Sequence, residues 1–579
     1  MRRTGAWLVR HALEQLGVRY TFGIPGVHNT EIYDELADST RITPILVAHE
    51  CGGAFMADAV SRIGGAGIGT LLIVPAAGVT HAASGIAEAA LDGIPLLVIT
   101  GGVRRDLGRA WQLHDMDQQA LVAPITKGHW RVERHADIVP TLYAAWRLAM
   151  SGEPGPALVE IPVELQLQAG AVADLPEFVP PPPAGHTAAA AALDHAAELL
   201  RAAAHPGIFC GWGAVDAGAE LGALAERLGA PVATTLQGLS AFPGNHPLHA
   251  GFGLGPAAVP AVVNAFADCD CLLAVGTRFA EIPTGSFGYQ PPERLIHVDI
   301  NPAVFGANHP VAVALEGDAR AVLSALLERL GVPQHGAARA AAVRAQLAGD
   351  KAAYQAEWLA HDPRGRVNPA QFFAALRAQL PDDAIVVADD GNHTFLAAEL
   401  LPIHCARGFL SPSDFNVMGY CIPAVIGAKL AAPERTVVGI VGDGAARMTG
   451  LEMATAVARR AGVVWFVFND GELAQIAQAQ QLPYNRRTCS VLPDLDFEGL
   501  ARASRVQYLA LRDDRDADGV IRAALATAAS AQPVLVDVRI DYSKRTRFTE
   551  GILRTNLQRF ALGDQARLVG RALWRRITG

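Results

Sequence analysis

One stretch narrows the field more than any other. Thr436 to Val441, TVVGIV, is a β-branched apolar run that reads as a buried strand. Gly442-Asp443-Gly444 then turns the chain, Met448 to Ala458 carries a helical apolar period, and Val463 to Phe468 is a second buried strand delivering Asn469. A β-turn-α-β unit of this kind belongs to a parallel sheet, whose ligands sit beyond the carboxyl ends of the strands. The strand ends carry chemistry for a hydrated hard cation. Asp443 offers a carboxylate oxygen and Asn469 an amide oxygen, and Mg2+ combines a few such ligands with phosphate oxygens. Gly442 and Gly444 let the backbone approach a diphosphate, which the start of the following helix also attracts.

The same rhythm recurs upstream. Tyr20 to Gly26, Ile42 to Ala48, Gly69 to Val74, Leu96 to Gly101 and Ala157 to Ile161 read as strands between helical stretches, and His49-Glu50 opens a helix. A proline-rich segment without period, residues 171–190, ends this first block as a stiff linker. A second block has strands near Ile208–Cys210, Pro231–Ala233, Cys271–Val275 and Leu295–Val298, and a closing helix at Ala319 to Leu330. An Ala-rich crossing segment with a linker at 346–367 leads to the third block, and residues 546–579 look like a polar tail with helical pieces. Alternating strands and helices predict an α/β chain of three doubly wound parallel-sheet domains.

The 579 residues suit three or four domains, and 51% hydrophobic content with many Ala and Gly suits closely packed α/β layers. A net charge of −9 with no basic stripe argues against nucleic acid or an anionic membrane as partner, and Arg567 to Arg576 reads as a solvated helix face. No segment offers the roughly 20 apolar residues of a membrane span. The N-terminus reads as an amphipathic helix, not a signal peptide. Seven scattered cysteines without a CxxC pair predict a reduced, cytoplasmic protein.

Taken together, FGIPGVHNTEIYDEL, VAHECGGAFMADAVSR, GEPGPALVEIPV, GAPVATTLQG, FPGNHPLHAGFG, VGTRFAE, HVDINP, MGYCIPAVIGAKLA and the GDG…ND unit resemble the acetolactate synthase/pyruvate oxidase/decarboxylase group of thiamin-diphosphate enzymes over nearly the full length. The resemblance implies an N-terminal pyrimidine-binding domain at 1–170, a central domain at 191–345 and a C-terminal diphosphate- and Mg2+-binding domain at 368–545. It also implies a homodimer or homotetramer with each active site between two subunits. Glu50 matches the family's Glu that hydrogen-bonds the cofactor's pyrimidine and promotes the tautomer that removes the thiazolium C2 proton. Asn392 and His393 match a G-Q-H segment at the diphosphate, with Asn in place of Gln. Met418 matches the apolar residue that bends the cofactor, and the carbonyl of Asn416 is expected to meet the aminopyrimidine. Gly442, Asp443, Gly444 and Ala445 are expected around the diphosphate. Asp443, Asn469 and the carbonyl of Gly471 are the expected metal ligands.

The reaction implied is carboligation of a 2-oxo acid such as pyruvate, with a decarboxylase or carbon–carbon lyase/hydrolase as the alternative. The substrate side departs from the synthase pattern. His114 stands where a Gln is usual, His81 follows Pro75-Ala76-Ala77-Gly78, and Gln475 and Ala479 replace a Met and a Trp of the acceptor pocket. His28 lies where some lyases of the superfamily carry a working His, so His28, His81 and His114 are expected to converge above the thiazolium and shuttle protons. Gly276-Thr277-Arg278-Phe279 resembles a flavin-contacting segment, which makes FAD a further candidate cofactor that flavin-free relatives do not need.

Overall fold

The structure, a computed structural model, describes residues 1–181, 185, 187–331 and 336–578. Three six-stranded sheets, each wholly parallel, follow one another along the chain. The first holds β1 (Tyr20–Gly23), β2 (Thr43–Leu46), β3 (Gly69–Ile73), β4 (Leu96–Gly102), β5 (Gly128–Arg131) and β6 (Pro156–Pro162), in the order β2-β1-β3-β4-β6-β5. The second holds β7 (Pro206–Cys210), β8 (Val232–Thr234), β9 (His249–Phe252), β10 (Cys271–Val275), β11 (Arg294–Asp299) and β12 (Val313–Glu316), in the order β9-β8-β7-β10-β11-β12. The third holds β13 (Ile385–Ala388), β14 (Phe409–Leu410), β15 (Val437–Gly442), β16 (Val464–Phe468), β17 (Gln507–Leu511) and β18 (Val534–Val538), in the order β14-β13-β15-β16-β18-β17. The first and third sheets are therefore wound identically.

Central strands such as LLVITGG of β4 and VWFVF of β16 are buried along their whole length, as parallel strands covered on both faces must be. The strands that lack a clear apolar run, β5 (GHWR), β9 (HAGF) and β12 (VALE), all lie at sheet edges, where one neighbour is missing. Helix α1 (Glu50–Ile63) follows β2, and α2 (Ala77–Asp92) follows β3. In the third unit, α4 (Asn392–Leu400) follows β13 and α5 (Cys421–Ala431) precedes β15; a long helix, α3 (Gly336–Leu359), comes before both. Helices α1 and α5 cross the boundary between first and third units at close range. A Cβ on Gly427 would sit 2.2 Å from the carbonyl oxygen of Met56, so only glycine fits.

A buried charge cluster fastens the same boundary. Arg62, 1% exposed, pairs with Asp58 at 2.6 Å and Asp92 at 2.8 Å. Glu88 accepts the N–H groups of Ser413 and Val417, and Asp92 accepts that of Asp414. The first unit thereby sets the path of the loop that carries Asn416 and Met418.

Three expectations need correction. The linker at 346–367 falls largely inside α3, which begins at Gly336 and packs Leu347, Tyr354 and Trp358 inward; its Ala-rich stretch disguised a continuous helix. The segment 546–579 has helical pieces but begins packed on the third unit rather than as a tail. Helix Arg547–Arg559 buries Phe548, whose ring lies on Phe395 with centroids 3.7 Å apart, and helix Leu562–Thr578 follows it. Arg571 sits over the ring of Tyr484 and Arg575 donates to the Tyr484 carbonyl, whereas Arg567 and Arg576 are exposed, so the face expected to be solvated is so only in part. Of the 171–190 linker, residues 182–184 and 186 lie outside the described residues, and Phe178 packs on Tyr143 and Trp146 of the first unit. Among the described residues no helix is long and apolar enough to cross a membrane.

Candidate functional site

In an open parallel sheet the crevice forms where the winding reverses. In the third unit that point lies between β13 and β15, and a cavity of ≈ 210 Å³ opens there. Asp389, fully buried after β13, accepts the N–H groups of Gly419 at 2.8 Å and Cys421 at 2.7 Å, pinning the 416–421 turn over the strand end. Asn416 takes a left-handed conformation (φ 60°) in that turn, and Met418 lines the cavity with its Cε against Gly444.

Asn392 and His393 begin α4 on the opposite wall. His393 is 4% exposed, and burial pushes its imidazole down to about 3, so it is neutral. Its ring closes on Gly391 and Gly442, where a Cβ would lie 2.6 Å and 3.0 Å from ring carbon; Gly391 also has φ 147°. Among the described residues neither His393 Nε2 nor Asn392 Oδ1 has a hydrogen-bond partner. Two buried polar atoms without a partner among the described residues, at the start of a helix, point to a ligand in the cavity. Asn392 O and N are interchangeable in such an assignment, so its amide can donate as well.

Asp443 receives the N–H of Gly444 at 2.8 Å and of Gly471 at 2.9 Å. Burial pushes its carboxyl up to about 6. Burial and then the charge of Asp443 push Asp470 up to about 7. Two lining carboxylates, one of which holds back the ionisation of the other, are an arrangement that could hold a cation.

The structure corrects the expected ligand set. Asn469 donates its Nδ2 to Asp537 at 3.1 Å, beneath the neighbouring strand, and does not line the cavity. The Gly471 carbonyl accepts the N–H of Leu492 at 2.9 Å, and it is the Gly471 N–H that faces Asp443. Asp470, one residue along, lines the cavity instead, because side chains alternate at a strand end and a slip of one residue exchanges inside for outside. Gly442, Gly444, Ala445 and Gln475 line the cavity as expected, and Gln475 Oε1 is buried without a partner.

The first unit supplies a second constellation. Glu50 is the first residue of α1 and 6% exposed, where the helix dipole favours its charge. Its Oε2 lies 3.0 Å from His81 Nδ1, and His81 stacks on His49 at 4.7 Å. His28 and His114 pair separately, Nδ1 to Nδ1 at 3.3 Å, and burial followed by His114 lowers the pKa of His28. The three histidines therefore divide into two pairs, His81 with Glu50 and His28 with His114. Sequence reasoning passed over His49 and Glu452. Glu452 accepts the N–H groups of Ala48 and His49, both at 3.0 Å, and its other oxygen holds Thr455. The adjacency of His49 to Glu50 was the available signal for the first; nothing local announces the second.

Neither Glu50 nor any of these histidines lines the third-unit cavity. In the central unit the switch point between β7 and β10 holds a cavity of ≈ 110 Å³, about half the volume of the third-unit cavity. Asp92, Glu153, Asp299 and Asp414 face it against one cation, Arg278, which is already bound to Glu153 at 3.1 Å, to Asp414 and to the Leu91 carbonyl. As arranged, these residues do not fit the diphosphate of a flavin dinucleotide.

Residues 3–121 match the family described as thiamine pyrophosphate enzyme, N-terminal TPP binding domain; 193–326 match its central domain and 389–538 its C-terminal TPP binding domain. The chain is 34% identical to the acetolactate synthase large subunit of Corynebacterium glutamicum over 84% of its own length and 78% of the relative's. It is 31% identical to the acetolactate synthase isozyme 1 large subunit of Escherichia coli over 94% and 95% of the two chains. It is 36% identical to the probable 2-ketoarginine decarboxylase AruI of Pseudomonas aeruginosa over 92% and 93%.

Proposed function

The chain belongs to the thiamine pyrophosphate enzyme family, and on that premise we propose that it is a Mg2+-dependent carboligase acting on a 2-oxo acid, as an acetolactate synthase acts on pyruvate. When bound, thiamin diphosphate supplies a carbon nucleophile and an electron sink for making or breaking a bond beside a carbonyl. The protein's share is binding, orientation and proton handling. Asp443 and Asp470 hold the metal, and the start of α4 with His393 and Asn392 holds the diphosphate. Met418 gives the cavity an apolar wall. Glu50 moves a proton at the aminopyrimidine, with His81 occupying its other oxygen.

The observation that carries this reading is the separation of Glu50 from the cavity of Asp443 and Asp470. Each set is half of a site, and two copies of the chain complete each other as a homodimer or homotetramer. A reducing, cytoplasmic setting suits seven cysteines that are all free thiols.

A second reading, decarboxylation or carbon–carbon cleavage, is favoured by the His28–His114 pair, which can return a proton to carbon, and by the likeness to a decarboxylase. Incubation with pyruvate, thiamin diphosphate and Mg2+, followed by product analysis, separates the two. Acetolactate supports carboligation. Acetaldehyde alone, or inertness to pyruvate with cleavage of 2-ketoarginine or an acyloin, replaces it by the second reading.

A further inference from the structure

A weakly partnered charge lies outside the residues that line either half-site. A cavity of ≈ 490 Å³ opens between the central unit and the third unit. Its walls come from β9, from α3 and from the far end of α4, and Phe252, Val259, Phe373, Leu400 and Ile403 make them largely apolar.

Three charged side chains reach this cavity. Glu399 is fully used: it accepts the Tyr354 hydroxyl at 2.5 Å and the N–H groups of Arg547 and Phe548 at 3.2 Å and 2.9 Å. Arg377 donates to the carbonyls of Leu380, Pro381 and Pro402. Lys351 differs. Its ammonium has three donors, and among the described residues its one hydrogen-bond partner is His249 Nδ1 at 3.4 Å. Among the described residues no carboxylate pairs with it, and burial pulls its pKa down to about 8. His249, 8% exposed, lines the same wall. Its Nδ1 accepts from Lys351, which leaves the proton of the neutral ring on Nε2, an atom without a partner.

A half-buried ammonium with unmet donors beside an orphaned imidazole is costly unless an anion joins them. We infer that this cavity is a binding site for an amphipathic organic monoanion, a carboxylate with an apolar body, whose head lies on Lys351 and His249 and whose body lies along the Phe252–Phe373 wall. The site is distinct from the cofactor cavity and does not depend on the reaction proposed above.

Decanoate is the probe, titrated calorimetrically into full-length enzyme already loaded with thiamin diphosphate and Mg2+, so that the cofactor cavity is filled. Saturable binding is expected, with Lys351→Met about tenfold weaker because the volume is kept and the charge removed. Neutral 1-decanol is expected to bind about tenfold more weakly than decanoate and to be indifferent to Lys351→Met. Ala374→Phe, which puts bulk on the cavity wall, is expected to abolish binding. Loss of an unanswered charge should leave Lys351→Met at least as stable to heat as the parent, so the comparison is between folded proteins. No decanoate binding up to about 5 mM, or binding that both substitutions leave unchanged, overturns the assignment.

Discussion

A carboxylate oxygen of Glu452 accepts the backbone N–H of His49 at 3.0 Å, joining positions 403 residues apart. The same oxygen takes the N–H of Ala48, and a Cβ on Gly52 would lie 2.3 Å from it. The residue before the catalytic candidate Glu50 is thus held by the unit that carries Asp443. Glu452→Ala removes the acceptor of two part-buried N–H groups, which costs about 1 kcal/mol or more. It is expected to lower kcat about tenfold or more by letting Glu50 drift. Glu452→Gln keeps an acceptor and should restore most of the rate, while Mg2+ affinity stays unchanged in both. Steady-state kinetics with a metal titration checks this; equal damage to metal affinity would sink the positioning role.

Asp470, not Asn469, is expected to govern metal-dependent cofactor binding. Asp470→Ala should weaken Mg2+ by more than about a hundredfold, beyond the loss typical of outer-shell partners. Asn469→Ser should leave the metal in place, because its amide serves Asp537. Cofactor binding followed by intrinsic fluorescence at fixed Mg2+ distinguishes them.

The metal site should titrate. Asp443 and Asp470 are raised to about 6 and about 7 in the metal-free protein, above an unfolded carboxyl near 3.9. The folded state then holds extra protons, so the stability these acids contribute is greatest below about pH 4 and falls as pH climbs through 6 to 7. Mg2+ needs both ionised, so its affinity and the thermal stabilisation it confers should rise across that window and level off above about pH 8, with protons released on binding. Calorimetry in buffers of different ionisation enthalpy reads the released protons directly. A flat profile from pH 5.5 to about 8 would count against the pair.

His28 and His114 are expected to act as one unit. His28→Phe should cost about a hundredfold in turnover, the usual scale of a lost proton shuttle. Adding His114→Phe should cost little more, since removing one member of a working pair already disables it. Additive losses in the double variant would show two independent roles.

The three sheets could be read from the sequence because their central strands are long buried apolar runs, and the GDG turn stands out against them. The edge strands β5, β9 and β12 could not, since they are paired on one side only and carry no continuous apolar run. The metal-site error was one of parity. Asn469 and Asp470 are neighbours of similar chemistry, and only the pairing of Asn469 with Asp537 reveals which one turns inward. Lys351 and Glu452 stayed hidden for another reason. Their partners, His249 and the Ala48–His49 backbone, lie roughly a hundred and four hundred residues away, and no local pattern records a contact of that span.

Phe548 rests face to face on Phe395, three residues past the point where Asn392 opens the cofactor-binding helix. That places a time constraint on synthesis. A ribosome releases Asn392 long before Phe548, so the helix waits, uncapped on one side, while more than a quarter of the chain is still to come. A chain that stops between Gln475 and Phe548 holds Asn392, His393 and Gly442 to Ala445 and still lacks the ring that seats α4.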